Sequence, residues 1–171
     1  MAIKLLKSDH YSVVSTKQVL LAPSTTFSVG EAVAWDGLNG YVTNDVSVLN
    51  NGNVYGVIDG FVDSQGNPLL DSNGKELTSV TTPASNTTYY TKVVLVTPEL
   101  VWEMDVNDTL GTTTGSDKPG ARFNLADAGT VGESTVSGTA GIVLSEGPAQ
   151  ASDGTTSTNK IQGRFIGGIL A

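Results

Sequence analysis

Turn-forming dipeptides punctuate this chain at intervals too short to leave room for helices. Gly30-Glu31, Asp36-Gly37, Asn39-Gly40, Asn51-Gly52 and Pro119-Gly120 supply turn chemistry, and the runs between them are short and rich in β-branched and aromatic residues. Twenty glycines, with many Val and Thr residues, interrupt nearly every window in which a helix could nucleate. Candidate strands cover residues 11–14, 18–21, 26–29, 32–35, 41–43, 54–62, 89–96, 100–106, 121–125, 130–136, 141–144 and 160–170. In the 100–106 run, a period of two puts Leu100, Trp102, Met104 and Val106 on one face, expected to be the core, and Val101, Glu103 and Asp105 on the other. Gly56 and Gly60 imply a bend or bulge in the 54–62 strand. In the last run, Ile161, Phe165 and Ile169 are the expected core contacts. The fold class expected is all-β, an antiparallel β-barrel or β-sandwich with long Thr/Gly-rich loops at 109–120 and 147–159. An N-terminal arm, residues 1–10, precedes a β-rich domain spanning 11–171, with a subdivision near 97–120 left open.

A small repeat with a period of eight lies between two of these strands. Asp63-Ser-Gln-Gly-Asn-Pro-Leu-Leu70 is followed by Asp71-Ser-Asn-Gly-Lys-Glu-Leu-Thr78, with Asp, Ser, Gly and Leu recurring in register. Two copies are too few for a solenoid and read as two successive β-turns in an exposed hairpin or loop excursion.

Composition excludes several classes of function. With 171 residues the chain can bury about 70% of its unfolded surface without staples. It has no cysteine and one histidine, His10, so disulfides, thiolate sites, thiol nucleophiles and imidazole zinc clusters are ruled out within one chain. The net charge of -8 argues against nucleic acid as a partner. Charged residues are only 15% of the total, and Thr, Ser, Asn and Gly take their place on the surface. No apolar run is long enough to span a membrane as a helix, and the start lacks a secretory signal. The expectation is a soluble, unprocessed protein made inside the cell.

Candidate sites are few, and each has an ordinary structural reading. Asp71-Ser-Asn-Gly-Lys-Glu76 opens like a calcium loop, but position twelve is Thr82 and the setting is a polar hairpin turn. Ser8-Asp9-His10 collects triad residue types side by side, which cannot form a triad because its members must come from separate elements. Glu103 with Asp105, and Asp59 with Asp63, are carboxylate pairs of the kind glycoside hydrolysis uses, but on a solvent face they keep a strand edge soluble. Gly163, Gly167 and Gly168 carry no phosphate-loop pattern. Trp35 and Trp102 could stack on sugars; each sits in an apolar alternation that favours the core. No catalytic, cofactor or metal site is expected.

The charge distribution says more. Between Lys17 and Lys75 there is no basic residue, while Glu31, Asp36, Asp45, Asp59, Asp63 and Asp71 are acidic. Basic residues gather in the arm (Lys4, Lys7, Lys17) and again at Lys118, Arg122, Lys160 and Arg164. An acidic body with a basic, apolar arm points to Ile3, Lys4, Leu5, Leu6 and Lys7 as a partner-binding segment, unless the arm packs on its own domain.

Three segments form a progression: Phe27-Ser-Val-Gly-Glu-Ala-Val-Ala-Trp-Asp-Gly37, Tyr41-Val-Thr43 and Val54-Tyr-Gly-Val-Ile-Asp-Gly60. With its G-x-x-V-x-x-D-G strand-turn before a GV-x-x-G strand, it resembles the small β-rich capsid decoration (cement) proteins of tailed bacteriophages. The likeness covers residues 26–62; Gly111-Thr-Thr-Thr-Gly115 and Phe123-Asn-Leu-Ala-Asp-Ala-Gly129 share the style of phage structural proteins. The resemblance implies a non-enzymatic virion protein without cofactors, on the capsid exterior and made in the host cytoplasm. It would bind the major capsid protein as a homo-oligomer, with a trimer favoured. The alternatives are a head fibre, tail or spike component, or a carbohydrate-binding β-sandwich module.

Overall fold

The arm is itself a strand. The computed structural model describes residues 2–8, 14–151 and 153–166, beginning with β1 (Ile3–Ser8). Next come β2 (Thr16–Leu21), β3 (Thr26–Ser28), β4 (Ala32–Asp36), β5 (Tyr41–Thr43), α1 (Val46–Asn50), β6 (Val54–Val62), β7 (Ser79–Thr81) and β8 (Tyr90–Leu95). Five of these close a barrel in the order β2-β5-β4-β6-β8, in which only the β2–β5 pair is parallel. β3 and β7 form a separate antiparallel pair.

The chain then leaves the barrel through β9 (Leu100–Val106), β10 (Arg122–Phe123), β11 (Leu125–Asp127) and β12 (Thr130–Val131). A 3-10 turn (Glu133–Thr135), β13 (Val143–Gln150) and β14 (Thr156–Phe165) complete it. These strands make a seven-stranded sheet in the order β10-β13-β14-β9-β12-β11, with β1 also on β9. β14 takes one edge of β9, and β1 and β12 lie along the other. The all-β expectation therefore holds, as a barrel joined to a sheet.

Alternation along the barrel strands explains how the two halves share a core. Val33, Ile58 and Val93 point into the barrel with Leu21, Phe27 and Val42. Ala32, Ala34, Val57 and Val94 point out, into a second core with Trp102, Met104, Phe123, Ile161 and Phe165. These strands are buried on both faces and so read as continuous apolar runs. The small Ala32 and Ala34 side chains let the sheet approach closely. The change from barrel to sheet falls between Leu95 and Leu100, within the region left open for a subdivision, yet the core is continuous across it.

Several sequence expectations need correction. α1 was not expected; Asp45 caps it by accepting from the Ser47 amide at 2.8 Å, and the Asn51-Gly52 turn ends it. The strand expected over 130–136 stops at Val131 and gives way to the 3-10 turn. The 147–159 loop is mostly strand, because β13 and β14 together leave only the connection between Gln150 and Thr156. Pro148 is tolerated in β13 because β10 pairs with β13 only through Val143 and Leu144, so Pro148 faces an open edge where no ladder donor is needed. Val14 belongs to no strand, and residues 11–13 and 167–171 lie outside the described part.

The eight-residue repeat is a column of turns. Leu69 N–H donates to the Phe61 carbonyl, and Leu77 N–H to the Leu69 carbonyl, both at 2.9 Å. Leu69 and Leu77 pack on the barrel core. Each Asp closes its own turn: Asp63 Oδ1 accepts from the Gln65 and Asn67 amides, and Asp71 Oδ1 from the Asn73 and Lys75 amides. Gly66 and Gly74 supply the positive φ, and their amides donate to the carbonyls of Asp63 and Asp71.

Candidate functional site

The arm is fixed to the protein by its own backbone. β1 runs antiparallel to β9, with Ile3 opposite Met104 and Leu5 opposite Trp102. Ile3 N–H donates to the Gly30 carbonyl at 2.9 Å, and Ala2 N–H donates to Asp105 Oδ2 at 3.0 Å. Gly30 has φ +85, and a Cβ there would fall 2.6 Å from the Ala2 Cβ, so only glycine lets the arm lie this close. Alternation then divides the arm. Ile3 is 3% exposed, inside the protein's own core, and Leu5 packs against that core. Lys4 and Leu6 face solvent. Ile3, expected as a partner contact, is therefore a core residue, because the register with β9 turns it inward. The Lys7 side chain lies outside the described part.

Between the arm and β6 lies a cleft of about 360 Å³. Its walls include Ile3, Leu5, Val57, Ile58 and Val94, with Trp102 among the lining residues and Lys4 and Asp59 also contributing. Trp102 is 1% exposed, and its indole N–H has no acceptor.

Glu103 and Asp105 do more than keep an edge soluble. Lys160 on β14 lies 3.1 Å from Glu103 Oε1 and 2.9 Å from Asp105 Oδ1, tying β14 to β9. The Asp105 hydrogen bond, aided by Glu103 and by both negative charges, raises the Lys160 ammonium above its ordinary value. Burial acts to raise the Asp105 carboxyl, but hydrogen bonds from Lys160 and the Ala2 amide hold it below its ordinary value. A lysine attacking a carboxyl carbon to form an amide must be neutral, with the acid protonated. Both shifts run the other way, so this is an ion pair that braces the sheet.

The other candidates are separated from one another. Asp63 and Asp71 have turn amides on their carboxylates, which lowers both. Asp59 is exposed on β6. Among the described residues no group of three or more His, Cys, Asp or Glu could hold a metal ion. Gly163 is in β14, where a Cβ would meet the Leu144 carbonyl oxygen at 2.8 Å; its role is close strand contact. Asp9, His10, Gly167 and Gly168 fall outside the described residues. The two tryptophans divide. Trp102 is in the core, but Trp35 is 37% exposed near the end of β4, with its ring 5.7 Å from Tyr55 and inclined by 33°. The apolar alternation at 32–35 misplaced Trp35 because both faces of β4 are apolar as far as Ala34, and the strand reaches solvent only at its last two residues.

One functional-looking group had no sequence signal. Glu133, on the 3-10 turn, is 2% exposed. Its carboxylate accepts from Thr113 N–H at 2.5 Å, Thr113 Oγ1 at 2.7 Å and Ser116 Oγ at 2.6 Å. Its own N–H donates to Asn107 Oδ1. Burial pushes the carboxyl up, but the three donors outweigh it and hold it below the ordinary value. The 109–120 loop is thus folded around a buried anion. Nothing in a Thr/Gly-rich loop announces that partner twenty residues away. Compared with protein-family models, curated proteins and solved structures, the chain shows no match.

Proposed function

We propose that this chain is a structural virion protein that binds the outside of a phage head and stabilises the lattice of the major capsid protein. The reading starts from the likeness of residues 26–62 to capsid decoration proteins. The observation that carries it furthest is how the arm is held. β1 is locked to its own sheet through one edge and offers Lys4 and Leu6 as a rigid ledge, a cation beside an apolar side chain. A ledge that is already ordered loses little entropy on docking, and an oligomer would multiply such shallow contacts. The acidic body elsewhere favours one orientation on a partner.

Purified protein is expected to co-sediment with expanded heads that lack it. The double variant Lys4→Glu/Leu6→Asp is expected to bind at least about 10-fold more weakly with an unchanged circular dichroism spectrum. Failure of the wild type to bind heads would sink the reading, and label on the tail in electron micrographs would move the protein to a fibre or tail role.

A second reading has one specific observation behind it. Trp35, leaning on Tyr55 and open to solvent, is the kind of platform on which a sugar face stacks. A carbohydrate-binding role predicts that neutral glycans shift the emission of Trp35 while buried Trp102 is silent, and that Trp35→Ala abolishes the shift. Unchanged emission across a glycan panel would remove this reading.

A further inference from the structure

Three of the four basic residues between 118 and 164 are neutralised by acids of the same chain. Lys118 lies 3.1 Å from Asp117 Oδ2, Lys160 bridges Glu103 and Asp105, and Arg164 Nε meets Glu146 Oε1 at 2.6 Å. Arg122 differs. Its guanidinium has no carboxylate partner among the described residues, and its side-chain bond runs from Nη1 to the Thr139 carbonyl at 3.1 Å. That bond orients the group and leaves Nε and Nη2, one edge of the fork, without an acceptor among the described residues. The chain has seventeen Asp and Glu against nine Lys and Arg, so the lack of an acid here is not for want of acids.

Arg122 lines an open hollow of about 350 Å³ whose lining includes no Asp or Glu. The backbone gathers further polar groups there. Arg122 and Asn124 lie two apart on an extended segment, so they share the face opposite the buried Phe123. Asn50 pins the end of α1 to the same segment: its Nδ2 donates to the Leu125 carbonyl at 2.9 Å, and its Oδ1 accepts from the Leu125 N–H at 2.8 Å. That double bond to the backbone brings Asn51 to the hollow. The side-chain amides of Asn51 and Asn124 both line it, and neither has a hydrogen-bond partner among the described residues.

We propose that the hollow at Arg122 is a binding site for the carboxylate of a peptide, held by the guanidinium fork with Asn51 and Asn124 beside it. The planar fork matches the two oxygens of a carboxylate in spacing and direction, and the charge on both sides strengthens the bonds. One cation balances a monoanion. Phosphate at neutral pH would bring additional negative charge into a molecule of net charge -8. Each Asn side chain carries an acceptor oxygen as well as donors, which suits the amide N–H that stands next to a peptide carboxylate. The inference does not depend on the virion reading. Its test uses the purified chain without heads, so failure here and failure to bind heads are read separately.

The probe is N-acetylglycine, titrated at constant ionic strength while ¹⁵N spectra follow the Arg Nε–H and Asn side-chain N–H₂ groups. The Arg122, Asn51 and Asn124 resonances are expected to move together and saturate, and inorganic phosphate is expected to bind more weakly. Arg122→Gln is expected to weaken binding of the probe at least about 10-fold with an unchanged circular dichroism spectrum. Arg122→Lys keeps the charge and loses the fork, and is expected to weaken it at least about 3-fold. Lys75→Gln removes an exposed cation elsewhere and is expected to leave binding unchanged. Should Arg122→Gln fail to fold, Asn124→Ala carries the test, with a loss of at least about 3-fold. Resonances that stay still overturn the proposal, as does phosphate binding more tightly than N-acetylglycine. So does an Arg122→Lys variant that binds as the wild type does, or a Lys75→Gln loss equal to that of Arg122→Gln.

Discussion

Replacing Glu133 by glutamine is expected to lower stability at neutral pH by about 2–4 kcal/mol and to expose the 109–120 loop to hydrogen exchange. The carboxylate accepts three hydrogen bonds in a buried site. An amide oxygen in place of Oε1 still accepts from the Thr113 amide and the Ser116 hydroxyl. The N–H₂ in place of Oε2 faces the Thr113 hydroxyl, which must turn from donor to acceptor. What is lost is the charge that strengthens all three bonds. The loop has few other anchors of this kind, and the Thr113 amide should exchange first.

The pH dependence has a definite sign. The folded-state Glu133 carboxyl lies below its unfolded value of 4.5. Its contribution is therefore fully present above that value and is lost as pH falls through the folded one. Asp36, Asp45, Asp63, Asp71 and Asp153 are lowered likewise, by turn and cap hydrogen bonds, so acid weakens wild type and variant alike. The difference between the two isolates Glu133. Urea denaturation at neutral pH and at pH well below 4.5 should show the wild-type advantage shrinking in acid. An advantage that persisted unchanged would mean that the carboxylate does not hold the loop.

Trp102→Ala is expected to cost about 3–5 kcal/mol and to weaken barrel and sheet together. Trp102 lies between β1 and β14, opposite Leu5 and Gly163. It meets the Phe165 ring edge-on at 6.1 Å and belongs to the core that also holds Ala32, Val57 and Val94 from the barrel. In the variant Trp35 is the sole tryptophan, so its emission reports the barrel while circular dichroism reports the whole chain. The two signals should melt in one transition. Two separated transitions would show that the barrel is stable without the sheet.

Much of the fold could be read because β-branched runs between turn dipeptides leave a chain few options. The alternation in 100–106 put Leu100, Trp102, Met104 and Val106 inside, where they are, and Gly60 marked the β6 bulge. Alternation fails where a strand is buried on both faces. Val101 is as buried as its neighbours, and β4 gave no cue that Trp35 would reach solvent. Composition misled at 147–159, since Thr, Ser and Gln suit an exposed strand as well as a loop. The arm was legible as a distinct segment. Its inward and outward faces were not, because they depend on a register with β9 nearly a hundred residues away. Glu133 escaped for the same reason: a single acid among small residues gains meaning only from the loop that folds over it.

The turns also bear on how this protein ages. Asparagine followed by glycine is the pair most prone to spontaneous deamidation, which begins when the glycine nitrogen attacks the asparagine side chain. Of the three such pairs here, each glycine nitrogen is already engaged: Gly40 with the Asp36 carbonyl at 2.9 Å, Gly52 with Leu49 at 3.0 Å and Gly74 with Asp71 at 3.1 Å. Cyclisation would have to break the turn first. The same bonds that set the hairpins therefore give the molecule a chemical shelf life much longer than its asparagine-glycine content suggests.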